Sequence, residues 1–106
     1  MIKVTVIAVG RLKEKYLRDA CEEYLKRLGT YSKVSVVEVN EERCSDNPSE
    51  SEIENVKQKE GQRIIAKIPK GSFVVPMCIE GTQFSSEDFA KKIEATAVAG
   101  NSDITF

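Results

Sequence analysis

The chain has 106 residues, 16 of them basic and 17 acidic, for a net charge of −1. That length suits one compact domain with one modest core, and such a charge balance excludes a global attraction to phosphate. Any nucleic-acid contact must therefore come from a local basic patch or from a surface shared between copies. There is no histidine, which removes His-dependent triads, most transition-metal sites and the usual proton shuttle.

The elements alternate along the chain. Ile2 to Val9 is rich in β-branched residues and ends at Gly10, so it reads as a buried strand followed by a turn. It lacks a basic leader, which argues against a signal segment, and no apolar run approaches the ~18 residues of a membrane span. The expectation is a cytoplasmic protein with no membrane association. From about Leu12 to Leu28, apolar residues recur at Leu17, Ala20, Cys21, Tyr24, Leu25 and Leu28 on one helical face, with Gly29 as the stop. Lys33 to Val39 reads as a second strand, and the polar stretch from Asn40 to Ser49 as a mobile loop.

Ser51 offers an N-cap for a helix to about Ile68, striped by Ile53, Val56, Ile64, Ile65 and Ile68. Its middle, Lys57 to Arg63, is polar, and Gly61 costs about 1 kcal/mol there against alanine. Pro69-Lys70-Gly71 is a turn. Ser72 to Ile79 is the most apolar run and reads as a central strand, with Pro76 as the local objection. Ser85-Ser86-Glu87-Asp88 opens a third helix, with Phe89, Ile93, Thr96 and Ala97 facing inward. Asp103 to Phe106 begins a last strand. The order predicts an α/β fold with a mainly parallel sheet and flanking helices.

In open parallel sheets, ligands bind beyond the carboxyl ends of the strands. The first such loop, Gly10-Arg11-Leu12, carries no dinucleotide or P-loop glycine pattern, which weakens a flavodoxin-like nucleotide-binding reading. Met77-Cys78-Ile79-Glu80-Gly81 admits two readings. One is a core strand with a turn; the other is a ligand shelf, with Gly81 letting a ligand approach the backbone. Cys78 reads as a small core residue, because no histidine or basic cluster adjoins it to activate a thiolate. Cys21, Cys44 and Cys78 have no metal-ligand or redox spacing. The lysines and arginines of the first helix alternate with acids, as on a solvated face. Lys57, Lys59, Arg63 and Lys67 are a weak pointer to phosphate contact.

The segments Val6-Ile7-Ala8-Val9-Gly10, Glu23-Tyr24-Leu25-Lys26-Arg27-Leu28, Lys59-Glu60-Gly61 and Met77-Cys78-Ile79-Glu80-Gly81 together resemble the RlmH family of SPOUT methyltransferases. The resemblance covers the whole chain. It implies a trefoil-knotted α/β fold, a homodimer, and S-adenosylmethionine-dependent methylation of a pseudouridine in large-subunit ribosomal RNA. It further implies cofactor contact by Met77, with Ile79, Glu80 and Gly81 as its loop neighbours; the lack of histidine and of ligand-spaced cysteines gives the expectation of no metal. In the family, the chain continues past the position of Phe106 into the knot. The expectation is thus a single SPOUT-like domain over residues 1–106, C-terminally incomplete, without the knot and inactive alone. No residue stands out as a catalytic base. The rival reading is a non-enzymatic interaction module that dimerises through its last strand.

Overall fold

A computed structural model describes residues 1–106. Four strands, β1 (Ile2–Val9), β2 (Ser32–Val39), β3 (Phe73–Val74) and β4 (Asp103–Thr105), alternate with α1 (Lys15–Leu28), α2 (Glu50–Lys67) and α3 (Ser86–Val98). The sheet order is β2-β1-β4-β3 and every pair is parallel, as the alternation predicts. With right-handed crossovers, α1 and α3 share one face and α2 covers the other.

The centre of the sheet is β1 against β4. Val4 is registered with Ile104 and Thr5 with Thr105, and Ile104 pairs on its other side with Phe73. Ile104 and Thr105 are each 1% exposed, Thr5 is 4% and Val39 is 6%. Thr105 satisfies its buried hydroxyl by donating to the Ser72 hydroxyl at 2.9 Å. The Phe106 ring meets Phe89 of α3 at 5.6 Å between centroids, which seats that helix on the sheet.

Several boundaries differ from expectation for identifiable reasons. α1 begins at Lys15, not Leu12, because the carbonyls of Leu12 and Lys13 accept hydrogen bonds from the Arg18 guanidinium. The cap of α2 is Ser49, whose hydroxyl accepts from the Glu52 amide at 3.2 Å; Ser51 lies inside the first turn. Ser85 caps α3 in the same way, accepting from the Asp88 amide. The predicted central strand Ser72–Ile79 reduces to Phe73–Val74 and lies at the sheet edge. Its ladder ends with the Val75 amide donating to the Thr105 carbonyl, and Pro76 is tolerated because an edge strand can forgo an amide donor. The last strand is inside the sheet with both sides paired, so it has no free edge through which an interaction module could dimerise.

The packing is open. The radius of gyration is 15.8 Å, against about 13 Å for a compact chain of this length. The accessible surface is 8696 Å², whereas a compact monomer of this mass presents roughly 5,900 Å². Many large apolar side chains are exposed. The stripe of α1 that should face a core leaves Leu17, Tyr24 and Leu28 at 40%, 63% and 43% exposure.

With so little core, each sealed residue matters. Ile104→Ala should cost about 2–5 kcal/mol, read by urea denaturation followed by circular dichroism. Gly61→Ala should have the opposite sign, a gain of up to about 1 kcal/mol, because a Cβ there meets nothing within 4 Å. A neutral result for Ile104→Ala would mean that the β1–β4 seam is not the core.

Candidate functional site

All four strands point their carboxyl ends to one edge, so the loops after β1, β2 and β3 and the residue after β4 share it. After β3 the chain leaves the sheet past Val75 and closes a turn in which the Gly81 amide donates to the Cys78 carbonyl at 3.0 Å. That turn puts Ile79 and Glu80 at its tip. Ile79 is fully exposed and Met77 is 75% exposed. An added Cβ at Gly81 would sit 3.0 Å from the Cys78 carbonyl, so glycine fits the turn where a larger residue must displace backbone.

Between this loop and the start of α3 lies an open groove of about 720 Å³. Val75, Pro76, Met77 and Phe84 give it apolar walls, and Thr82, Gln83, Ser85 and Ser86 add polar groups. The sequence-predicted residues divide here. Met77 and Gly81 line the groove, while Ile79 and Glu80 lie on the loop outside its lining. Cys78 also lines it and is exposed, so it is not the core residue expected. It lies past the end of β3, in the turn beside the groove. Phe84 was not singled out from sequence. Its signal was an aromatic in a polar loop just before a helix cap, where no core position was predicted.

A second, smaller cavity of about 180 Å³ adjoins the first, between β3 and α3. Phe73, Phe84, Phe89, Ile93, Ile104 and Phe106 make it almost wholly apolar. Phe84 and Phe89 line both, so the two hollows form one recess that grades from dry to polar.

Toward the other side of the same edge, the loop after β2 is tied down. Arg63 of α2 donates to the Asn40 carbonyl at 3.1 Å and to the Glu42 carboxylate at 3.0 Å. Lys59 reaches the other Glu42 oxygen at 3.4 Å, and the Glu42 amide donates to Glu60 at 3.0 Å. Further along, the Ser45 amide and hydroxyl both donate to Glu52, at 2.9 and 2.8 Å. The stretch expected to be mobile is thus held at three points. The polar middle of α2 is explained by the same contacts, since Lys59, Glu60 and Arg63 all serve this loop. No group of His, Cys, Asp or Glu is arranged to hold a metal ion.

The clamp has a pH signature. The hydrogen bond from Arg63, aided by Lys59, holds the Glu42 carboxyl below the ordinary glutamate range. The amide and hydroxyl of Ser45 do the same for Glu52. A carboxylate whose folded pKa is depressed stabilises at pH above its unfolded value and loses that contribution as pH falls through the folded one. The loop should therefore be closed at neutral pH and open in acid, below the ordinary glutamate range. Amide exchange measured by NMR should show protection at the Glu42 and Ser45 amides that disappears across that window, ahead of the Ile104 amide. Simultaneous loss at all three would mean global unfolding and no separate clamp.

The likeness to known proteins runs along the whole frame just described. A family model described as "Predicted SPOUT methyltransferase" matches residues 2–106. The chain is 50% identical over 105 residues to the ribosomal RNA large subunit methyltransferase H of Streptococcus thermophilus, covering 99% of this chain and 66% of that protein. The proteins of the same name from Clostridium beijerinckii and Ligilactobacillus salivarius are 50% and 49% identical, with the same coverage. The chain therefore spans 66% of the length of the curated relatives it matches. A match from the first strand to the last, at such identity, leaves one conclusion about descent: the chain belongs to the SPOUT methyltransferase family.

Proposed function

We propose that the protein to which this chain's residues belong methylates a pseudouridine in large-subunit ribosomal RNA, with S-adenosylmethionine as methyl donor. The observation that carries this is the 50% identity, sustained over 99% of the chain, to relatives named for methylation of that RNA. The groove supports it. Its apolar walls suit a flat purine, and its hydroxyl and amide side chains suit a polyhydroxylated sugar, the mixture a nucleoside donor requires. When bound, the donor supplies an electrophilic methyl group on a sulfonium. The chain's contribution is to hold and orient it.

In this reading Met77 and Gly81 contact the donor from the groove wall, with Ile79 and Glu80 as loop neighbours that reach it from the turn. The groove is open, whereas tight small-molecule sites bury about 70–90% of their ligand. Donor binding by these 106 residues alone should accordingly be weak. The proposed setting is the cytoplasm, where ribosomal RNA is met. No helix is long and apolar enough to cross a membrane.

We further propose a homodimer. The surface in excess of a compact monomer is roughly 2,800 Å² per chain, or about 5,600 Å² for a pair, at the upper end of what obligate homodimer interfaces bury in total. Its apolar part includes the open stripe of α1. Sedimentation equilibrium at micromolar concentration should give a mass twice 11.8 kDa; a monomer throughout that range would reject the dimer for these residues.

Donor binding is best tested by NMR, which detects weak complexes. Titration with S-adenosylmethionine should shift the Met77 methyl and the Gly81 and Thr82 amides, and leave the Lys33 and Lys70 amides at the opposite edge unmoved. Met77→Asp should abolish the shifts. Millimolar donor that moves none of the groove signals would refute this site.

A further inference from the structure

The chain is nearly neutral as a whole, but its charge is unevenly placed. Every helix ends, and every strand begins, at the amino edge of the sheet, opposite the groove. The segments meeting there are the last turn of each helix, the turn after it and the first two residues of each strand. They carry Lys3, Lys26, Arg27, Lys33, Lys67 and Lys70, with Asp103 the one acid among them. The rest of the chain holds 10 basic and 16 acidic residues. The local basic patch that a chain of net charge −1 needs for any nucleic-acid contact is therefore at this edge.

Four of the six cations belong to one face. Ile104 lines the cavity under α3, so its neighbours Asp103 and Thr105 project from the opposite face, the one α2 covers. Lys3 is in register with both Asp103 and Lys33, so all three side chains leave the sheet on that face. Lys67 ends α2 there, and Lys70 sits in the turn that leads into β3. Lys3, Lys33, Lys67 and Lys70 are exposed, and none engages a carboxylate. Asp103 does not neutralise them: it makes no ion pair, and its Oδ1 is buried without a hydrogen-bond partner. The acids next back along the helices are accounted for elsewhere. Glu22, Glu23 and Glu94 belong to α1 and α3 on the other face, and Glu60 of α2 accepts from the Glu42 amide.

Folding alone does not explain this set. The helix dipole favours a lysine in the last turn, which covers Lys67. A lysine on an edge strand guards against pairing with another chain, which covers Lys33. Lys3 is in neither position. β1 lies inside the sheet, and a like charge one strand spacing away, about 4.8 Å, destabilises the Lys3–Lys33 pair. An anion laid across the row removes that cost.

We infer that Lys3, Lys33, Lys67 and Lys70 form a docking surface for the phosphate backbone of the RNA substrate, remote from the acceptor nucleotide. This rests on the RNA-methylation reading above and adds a second place at which the RNA is held. β1 runs for eight residues, about 26 Å, so the phosphates met here are several nucleotides from the base at the groove. Contacts of this kind fix register and orientation and carry no sequence information.

The test is fluorescence anisotropy of a labelled single-stranded RNA titrated with the 106-residue chain over a series of salt concentrations. Each single-strand phosphate contact contributes about 0.7 to the slope of log affinity against log salt. The variant Lys3→Gln, Lys33→Gln, Lys70→Gln should bind at least about tenfold more weakly and lower that slope by about 2. The same charge loss elsewhere, Lys13→Gln, Lys57→Gln, Lys91→Gln, should leave the slope unchanged. Urea should unfold the first variant no more easily than the unsubstituted chain, because the Lys3–Lys33 repulsion is gone. A clear loss of stability would assign these lysines to the fold and overturn the surface. So would equal losses in the two variants, or no RNA binding by the unsubstituted chain. Polyglutamate that binds through the three lysines where RNA does not would replace the RNA with an acidic protein. In NMR spectra the RNA should shift the Lys33 and Lys70 amides, which S-adenosylmethionine leaves unmoved. The two titrations thus report on different edges, and failure here is separable from failure of the methyltransferase reading.

Discussion

The insertion of β4 between β1 and β3 is the constraint on which the rest depends. The Lys3 amide donates to Ser102, the Ile7 amide to Phe106, the Phe106 amide to Thr5 and the Val75 amide to Thr105, so one short strand holds both halves of the sheet. Ile104 and Thr105 are the most deeply buried residues, and they lie in that strand. Parallel pairing there aligns the carboxyl ends of all four strands, and only that alignment gathers the loops after β1, β2 and β3 at one edge. It also joins residues about a hundred positions apart. The closure entropy of so distant a contact must be met before the pairing stabilises anything.

Around this seam, order is kept in two different ways. The apolar face carries α1 and α3 with little burial, and its contacts are a few rings such as Phe89 on Phe106. The carboxyl edge is held instead by charge and hydrogen bonding. Single ion pairs with side chains 22–50% exposed contribute little each, because solvent screens them. Glu42, Glu52, Arg63 and Lys59 act on one short loop, however, and their bonds include backbone amides and carbonyls that have no other protein partner. The consequence is a loop whose shape is set locally, independent of how well the apolar face is covered.

How much of this was legible in sequence depended on whether a residue's neighbours were near in the chain. β1 and β2 were readable because β-branched runs bounded by Gly10 and Gly29 specify strands without further context. Ser85 was readable because the cap and its acidic first turn are adjacent. The choice of Ser49 over Ser51 turned on a single amide, and both serines fit the pattern. The error at Ser72–Ile79 was of another kind. Apolarity was read as depth in the sheet, whereas Val75, Pro76 and Met77 are apolar because they wall a groove at its edge. Hydropathy reports that a residue leaves water and does not report which surface receives it. The Arg63–Glu42 pairing spans 21 positions between a loop and a helix, and no periodicity encodes it. Its trace was the polar middle of α2, which lacked a reason while the loop opposite was read as mobile. Of the proposed donor residues, Met77 and Gly81 came to the groove and Ile79 and Glu80 to the turn beside it, a division fixed by the Cys78–Gly81 hydrogen bond.

The open apolar face and the open groove are two aspects of one fact. Phe84 and Phe89 line both the polar groove and the apolar cavity under α3, so whatever covers the cavity also narrows the groove. Methyl transfer from a sulfonium gains from a site that excludes water and fixes the donor's orientation, and an open recess does neither well. If the cover is a second copy, as proposed, dimer formation and donor binding draw on the same side chains and must be thermodynamically linked. Donor would then tighten the dimer by the factor by which the dimer tightens donor. The braced carboxyl edge stands outside that linkage, because Arg63 and Glu42 hold their loop without the aromatic recess. A chain organised this way keeps the loops after β1 and β2 formed before the donor pocket is complete, so their shape does not wait on closure of the chemistry.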